Sequence, residues 1–226
     1  MGVSLNFGRM KKSERYRYVL DSLGCDKISV ESELHFGSPY ELLVAVMLSA
    51  QCTDKRINAV TPALFAAFPT VESMASATPE AVLPYIASVS YPNAKSRHLV
   101  AMAQAVCRDF GGEIPQTREQ LMTLAGVGRK TANVVLAVAF GRQTLAVDTH
   151  VYRVSRRLGL VPASCDTPRK VEDELVKNIP GELVASSHFK LLLHGRYVCR
   201  SRKPLCAECV LASVCRYYSA TTRKMK

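Results

Sequence analysis

The sequence predicts an all-α protein. Helix start and stop residues flank one apolar segment after another, and no run combines sustained period-two alternation with hairpin turns. With 226 residues, 48% of them apolar, the chain is long enough for one large or two small domains with a sizeable core.

The first clear helix is "SPYELLVAVMLSAQ". Ser38 stands at its N-cap, Pro39 at the first helical position and Glu41 three residues after the cap, which predicts a capping box. Apolar almost all round, this helix belongs at the centre of a core. Asp54 is placed to cap "KRINAVTPALFAAF", and Thr78 with Pro79 opens "EAVLPYIASV". "NAKSRHLVAMAQAVCRDF" runs into Gly111 and Gly112, a C-terminal stop. Thr117 and Gln120 predict a second capping box before "LMTL", and "TANVVLAVAF" ends at Gly141. Asp148 precedes "THVYRVSRRL" and Gly159, Thr167 with Pro168 opens "RKVEDELVKNI", and a last long helix covers roughly residues 182 to 198. "QTLAV", 143 to 147, has the composition of a short strand, but a lone strand has nothing to pair with.

The formal net charge is +11. Such an excess of lysine and arginine attracts acidic polymers through its long-range field, which makes nucleic acid the leading partner on charge alone. Apolar runs such as "LLVAVML", 42 to 48, fall far short of the roughly 18 to 20 residues that cross a bilayer, so no membrane partner is expected. "MGVSLNFGRMKKSERYRYVL" has no secretory apolar region, and Asn6 fails the Ser or Thr requirement of a myristoylation signal. A cytoplasmic, nucleoid-associated protein is the expectation. Eight cysteines without an export signal point to metal or buried thiols rather than disulfides. Nothing marks an oligomer surface, so a monomer is expected.

Two stretches carry chemistry. In "AGVGRKT", residues 125 to 131, two glycines bracket a valine and two cations follow where an apolar helix begins. A nucleotide phosphate loop needs Gly directly before Lys and another glycine five residues upstream. Arg129 separates Gly128 from Lys130, and Leu124 occupies the upstream position, so that match fails. The alternative is a turn between short helices that offers backbone N–H groups to an external phosphate, with Lys130 at the start of the second helix. Gly126 and Gly128 would let the backbone approach a phosphate with no Cβ in the way.

The second stretch, "CRSRKPLCAECVLASVC", places Cys199, Cys206, Cys209 and Cys215 at C-x6-C-x2-C-x5-C. Four thiolates so close in sequence can close round one metal centre, zinc or iron–sulfur by spacing alone. Arg200, Arg202, Lys203 and Arg216 interleave with them, so the same loop would present cations to phosphate. Cys25, Cys52, Cys107 and Cys165 are scattered and read as small buried apolar residues.

Taken together these residues resemble a family. "LAGVGRKTANVVL" is similar to the helix-hairpin-helix motif of DNA glycosylases, and "VDTHVYRV" to the aspartate segment that follows it. The cysteine spacing, "MLSAQCTD" and "LLHGRYVC" resemble the endonuclease III branch. The resemblance runs from about residue 30 to 216 in the family's order. It implies a helix-hairpin-helix DNA glycosylase fold of two helical domains with the active site between them. One is a six-helix domain, 32–142; the other joins 1–31 to 143–226 and carries a [4Fe–4S] cluster on a C-terminal loop. Lys130 would be the nucleophile and Asp148 the catalytic carboxylate, with Cys199, Cys206, Cys209 and Cys215 as cluster ligands. The partner implied is damaged double-stranded DNA, contacted by Gln51, Tyr91, Gly126, Gly128, Arg129, His150, Arg200, Arg202 and Lys203. The activity implied is removal of oxidised pyrimidines, then strand cleavage 3′ to the abasic site by β-elimination through a lysine Schiff base. Without the family, Lys130 reads as a phosphate contact and Asp148 as a helix cap; Asp148 can be both cap and catalyst.

The chain departs from the family pattern in two places. "SVSYPNAK", 88 to 95, stands where Gly-Leu-Tyr-Asn is usual; anchoring on Asn93 and Lys95 puts Tyr91 at the leucine wedge, a ring that can stack where leucine fills space. Ala125 replaces a proline before the hairpin. Ala45 occupies the position of the catalytic glutamate of the adenine branch, and with Lys130 present this favours a bifunctional lyase over a monofunctional glycosylase or a non-catalytic clamp.

Overall fold

The computed structural model describes residues 10–27 and 32–223. All regular structure among them is helical, with no strand. The helices are α1 (Lys12–Leu23), α2 (Pro39–Leu48), α3 (Asp54–Ala67), α4 (Val71–Ala75), α5 (Pro79–Ile86), α6 (Pro92–Phe110), α7 (Arg118–Leu121), α8 (Arg129–Phe140), α9 (Thr149–Leu158), α10 (Pro168–Asn178), α11 (Val184–Tyr197) and α12 (Arg216–Arg223). Residues 143 to 147 form no strand and carry no regular structure, and Leu145, Ala146 and Val147 are buried.

The chain divides into two compact units: 32–142, and the chain on either side of it. In the 32–142 unit α4 and α5 pack on α6, α3 packs on α5, and α2 packs on α8. As its composition requires, α2 is buried on every face from Leu42 to Leu48 and sits in a core with Ile57, Leu64, Met74, Leu99, Met102 and Leu121. Seven helical segments, α2 to α8, fill this unit rather than six. In the flanking unit α10, α11 and α12 pack on α9, and α1 packs on α11. Its core gathers Tyr16, Val19, Val151, Val154, Leu158, Val171, Leu175, Leu191 and Val214.

Local chemistry moves several expected boundaries. Ser38 caps α2 by accepting from the Glu41 amide at 3.2 Å, but the Glu41 carboxylate takes the Gly37 amide at 2.6 Å, so the box is shifted by one residue. That helix ends at Leu48, three residues short of Gln51. Thr53, not Asp54, caps α3, accepting from the Arg56 amide at 3.3 Å. Thr117 starts α7 at once, so the turn covers Arg118–Leu121 and stops as "LMTL" begins. The Gln120 side chain meets the Thr117 hydroxyl at 2.8 Å rather than its amide. A 3-10 turn at Gly181–Leu183 replaces the first turn expected of α11.

Candidate active site and thiol pocket

Within the 32–142 unit, α7 and α8 form the helix-hairpin-helix, fastened by an Arg118 Nε hydrogen bond to Asn133 Oδ1 at 2.7 Å. The turn is closed by amides of Leu124 and Val127 donating to Leu121 and Leu124 carbonyls, while Val127 tucks into the core. Its two glycines do different jobs. Gly126 has φ +76, and a Cβ there would stand 3.0 Å from His98 Cβ, so both the backbone and the α6 side chain exclude a substituent. Gly128 is the N-cap of α8 at φ −91 with open space around it. Having no side chain, it leaves the α8 N-terminus without a side-chain cap, the arrangement that favours an external anion. Arg129 and Lys130 are the first two helical residues, and Lys130 is exposed.

The loops carrying Gln51 and Tyr91 meet in the same unit. Both residues are exposed and both adopt the left-handed backbone, at φ 59 and φ 57, a conformation that costs an ordinary residue about 1–2 kcal/mol. The Ser90 hydroxyl donates to the Gln51 carbonyl at 2.9 Å, and the Ser90 amide donates to Cys52 Sγ at 3.2 Å. Beneath them Lys95 Nζ donates to the Leu48 and Ala50 carbonyls, each at 2.7 Å. Burial lowers the Lys95 pKa, with the Cys52 thiol acting in the opposite direction. For Cys52 burial raises the pKa, yet the Ser90 hydrogen bonds and the Lys95 charge outweigh it and the net shift is downward. Cys52 is therefore not the inert buried thiol its isolation in sequence suggests, whereas Cys25 and Cys165 are buried among apolar side chains.

In the flanking unit Asp148 caps α9, accepting from the Val151 amide at 2.7 Å. In the first turn of α9, His150 Nδ1 lies 3.2 Å from Arg153 Nη2. Arg153 also donates to the Gly195 carbonyl at 2.8 Å and the Cys199 carbonyl at 3.0 Å, which ties the start of α9 to the beginning of the cysteine segment. Gly195 permits this approach: a Cβ there would fall 2.8 Å from His150 Cβ.

All four cysteines of the segment line one pocket, with Leu158, His194, Val198, Leu205 and Tyr217 among its other walls. His194 Nε2 is 3.7 Å from Cys209 Sγ, and Cys215 Sγ is 3.4 Å from the Arg157 carbonyl. Among the described residues no three Cys, His, Asp or Glu groups are spaced to hold a single ion. The donor set round the pocket is four thiols, the ligand type that a thiolate-bound centre would use. Burial, then repulsion from neighbouring thiolates, pushes Cys206 up, and the same two causes, against backbone hydrogen bonds, push Cys209 and Cys215 up. A cationic centre that takes the thiolates removes that cost.

Arg200, Arg202 and Lys203 are exposed on the segment. Arg216 is not a fourth free cation as expected, because its guanidinium turns in to the Arg156 carbonyl at 2.9 Å. Arg157 was unmarked in the sequence, yet it donates to the Arg200 and Ser201 carbonyls at 2.7 and 3.0 Å and stacks 4.4 Å from the Tyr217 ring. Arg153 and Lys95 were equally unmarked as anchors; nothing in a helical sequence tells an inward cation from an outward one until the neighbouring carbonyls are placed.

The family model described as "HhH-GPD superfamily base excision DNA repair protein" matches residues 44–181. Endonuclease III of Bacillus subtilis is 41% identical over 207 residues, 92% of this chain and 94% of that one. Endonuclease III of Escherichia coli K12 is 40% identical over 208 residues, 92% and 97% of the two chains. A solved structure described as a trapped endonuclease III–DNA covalent intermediate superimposes with a TM-score of 0.88 at 39% identity, covering 95% of this chain and 100% of that one. A thermostable thymine-DNA glycosylase, 22% identical with a TM-score of 0.80, shares the fold. This chain belongs to the endonuclease III family of the HhH-GPD superfamily of base excision DNA repair proteins.

Proposed function

We propose that this base excision repair enzyme, a DNA glycosylase and abasic-site lyase, removes oxidised pyrimidines from damaged duplex DNA, acting as a monomer on the chromosome in the cytoplasm. Lys130 is the nucleophile. Its neutral amine attacks the sugar C1′ and the damaged base leaves with the bonding electrons and a proton. The ring then opens to a Schiff base. Loss of a C2′ proton expels the 3′ phosphate, and hydrolysis frees Lys130. Asp148 stabilises positive charge that develops on the sugar and takes part in the proton transfers.

The observation that carries this reading is the position of Lys130, exposed in the first turn of a helix without a side-chain cap and directly after the Gly126–Gly128 turn. In support, the similar endonuclease III was trapped as a covalent intermediate with DNA. Amides of the hairpin bind a phosphate without reading sequence, and Gln51, Tyr91 and His150 contact the duplex from which the damaged nucleotide has been extruded. Cys199, Cys206, Cys209 and Cys215 hold a [4Fe–4S] cluster, which supplies a covalent staple for the loop that presents Arg200, Arg202 and Lys203 to the backbone.

Borohydride trapping on a duplex carrying thymine glycol tests the reading, with wild type and Lys130→Ala side by side and an abasic duplex as the second substrate. A covalent adduct with wild type that is absent from the variant is the expected result. Full strand cutting by Lys130→Ala would overturn the nucleophile, and trapping on the abasic duplex alone would overturn the oxidised-pyrimidine assignment.

A further inference from the structure

We propose that Lys95, together with Ser90, is a positioning residue that locks the Gln51 and Tyr91 loops into one two-pronged probe of duplex DNA. The inference rests on the DNA-contacting roles proposed above for Gln51 and Tyr91. Lys95 is 8% exposed, and none of its hydrogen-bond partners among the described residues is a carboxylate. A buried ammonium without a carboxylate partner is costly and is retained where its donors have fixed acceptors. Here Nζ spans the Leu48 and Ala50 carbonyls at 2.7 Å each and approaches Cys52 Sγ at 3.8 Å. Leu48 is the last residue of α2, so the cation also meets the negative end of that helix, where carbonyls lack intrahelical partners.

The same residue is tied to the second loop. Its backbone amide donates to the Tyr91 carbonyl at 3.1 Å, in the first turn of α6, which begins at Pro92 with Tyr91 as N-cap. Ser90 closes the remaining gap through its bonds to the Gln51 carbonyl and Cys52 Sγ at 2.9 and 3.2 Å. Gln51 and Tyr91 therefore hold their left-handed backbones within one shared network. Strained residues persist only where their surroundings over-determine them, and they concentrate at functional sites. Neither prong can shift without breaking bonds that hold the other. The consequence is a fixed spacing between the Gln51 side chain proposed to contact the duplex and the Tyr91 ring proposed as the wedge.

The test uses borohydride trapping of the full-length protein on an abasic site in single-stranded DNA and in duplexes with each of the four opposite bases. Chemistry at C1′ needs only the damaged strand, whereas the probe acts on the helix. Lys95→Met and Ser90→Ala are expected to lower trapping on duplex about tenfold more than on single strand and to flatten the opposite-base profile. Gln51→Ala and Tyr91→Ala should do the same, and Lys95→Met/Gln51→Ala should fall no further than the worse single variant, as a shared network requires. Lys95→Arg, which keeps charge and donors, should recover part of the duplex preference. Equal losses on both substrates, or an unchanged opposite-base profile in both Lys95→Met and Ser90→Ala, overturn the inference. If Lys95→Met fails to fold, Ser90→Ala alone decides. If Gln51→Ala and Tyr91→Ala themselves leave the profile unchanged, the DNA-contacting reading of those residues falls first and takes the inference with it.

Discussion

The Asp148 carboxylate accepts a 2.7 Å hydrogen bond from the Val151 amide, so the side chain proposed for catalysis also starts α9. The two roles separate by substitution, because Asn caps a helix as well as Asp but carries no charge. Asp148→Asn is expected to leave thermal stability within about 0.5 kcal/mol of wild type while slowing the single-turnover reaction by about 10²- to 10⁴-fold. Asp148→Ala should lose the activity and about 1 kcal/mol besides. Denaturant unfolding beside single-turnover kinetics checks both, and a stable, fully active Asp148→Asn would remove the carboxylate from the mechanism.

Alanine at the two hairpin glycines should give unequal results. At Gly126 the backbone is left-handed and His98 Cβ is 3.0 Å from the new methyl, so Gly126→Ala should cost at least about 1–2 kcal/mol and weaken DNA binding. At Gly128, with φ −91 and open space, the cost should stay nearer 0.5 kcal/mol, that of a poor N-cap residue. Equal destabilisation in thermal melts would mean that the turn does not depend on the Gly126 geometry.

Cys52 should be an unusually reactive thiol. The thiolate is the species that is alkylated, so a lowered pKa raises the reactive fraction at neutral pH. Ser90 and Lys95 hold Cys52 below the ordinary thiol value of 9.0, while burial, then Glu72, pushes Cys107 above it. Iodoacetamide labelling read by peptide mass spectrometry should modify Cys52 before Cys107 at pH 7, with a midpoint below 9.0 that rises in Lys95→Met. Faster labelling of Cys107 would contradict the hydrogen-bond pattern.

Removing the proposed iron–sulfur cluster should loosen one segment first. Arg200 and Arg202 are exposed trypsin sites in the stretch between Cys199 and Cys206, whereas the Lys203–Pro204 bond resists the protease. Oxidative removal of iron, followed by assays for iron and sulfide, should abolish the visible absorption of an iron–sulfur chromophore. Brief trypsin treatment should then cut in this stretch well before the helices of the 32–142 unit. Zinc in place of iron and sulfide would reject the cluster assignment, whatever the protease pattern.

Much of this was legible in the sequence because it is written in local chemistry. Thr78 with Pro79, Gly141, Gly159 and Thr167 with Pro168 mark helix ends through bonds that span only a few residues, and those ends lie where expected. The "AGVGRKT" turn and the cysteine spacing were legible for the same reason. Arg153, Arg157 and Lys95 were not, since each bonds to carbonyls more than 40 positions away. The short α4 and the shift of the α3 cap from Asp54 to Thr53 were missed for another reason. Adjacent residues of similar capping power differ by tenths of a kcal/mol, and packing decides between them.

The inward arginines change what the net charge of +11 means for binding. Arg15, Arg153, Arg156, Arg157 and Arg216 each donate to a backbone carbonyl, of Gly159, Gly195, Cys165, Arg200 and Arg156 in turn. Cations engaged in this way do not neutralise DNA phosphates and so release no condensed counterions. The affinity for DNA should therefore fall with salt along a shallow slope, set by a few outward cations such as Lys130, Arg200, Arg202 and Lys203, rather than by the chain's full complement of basic residues.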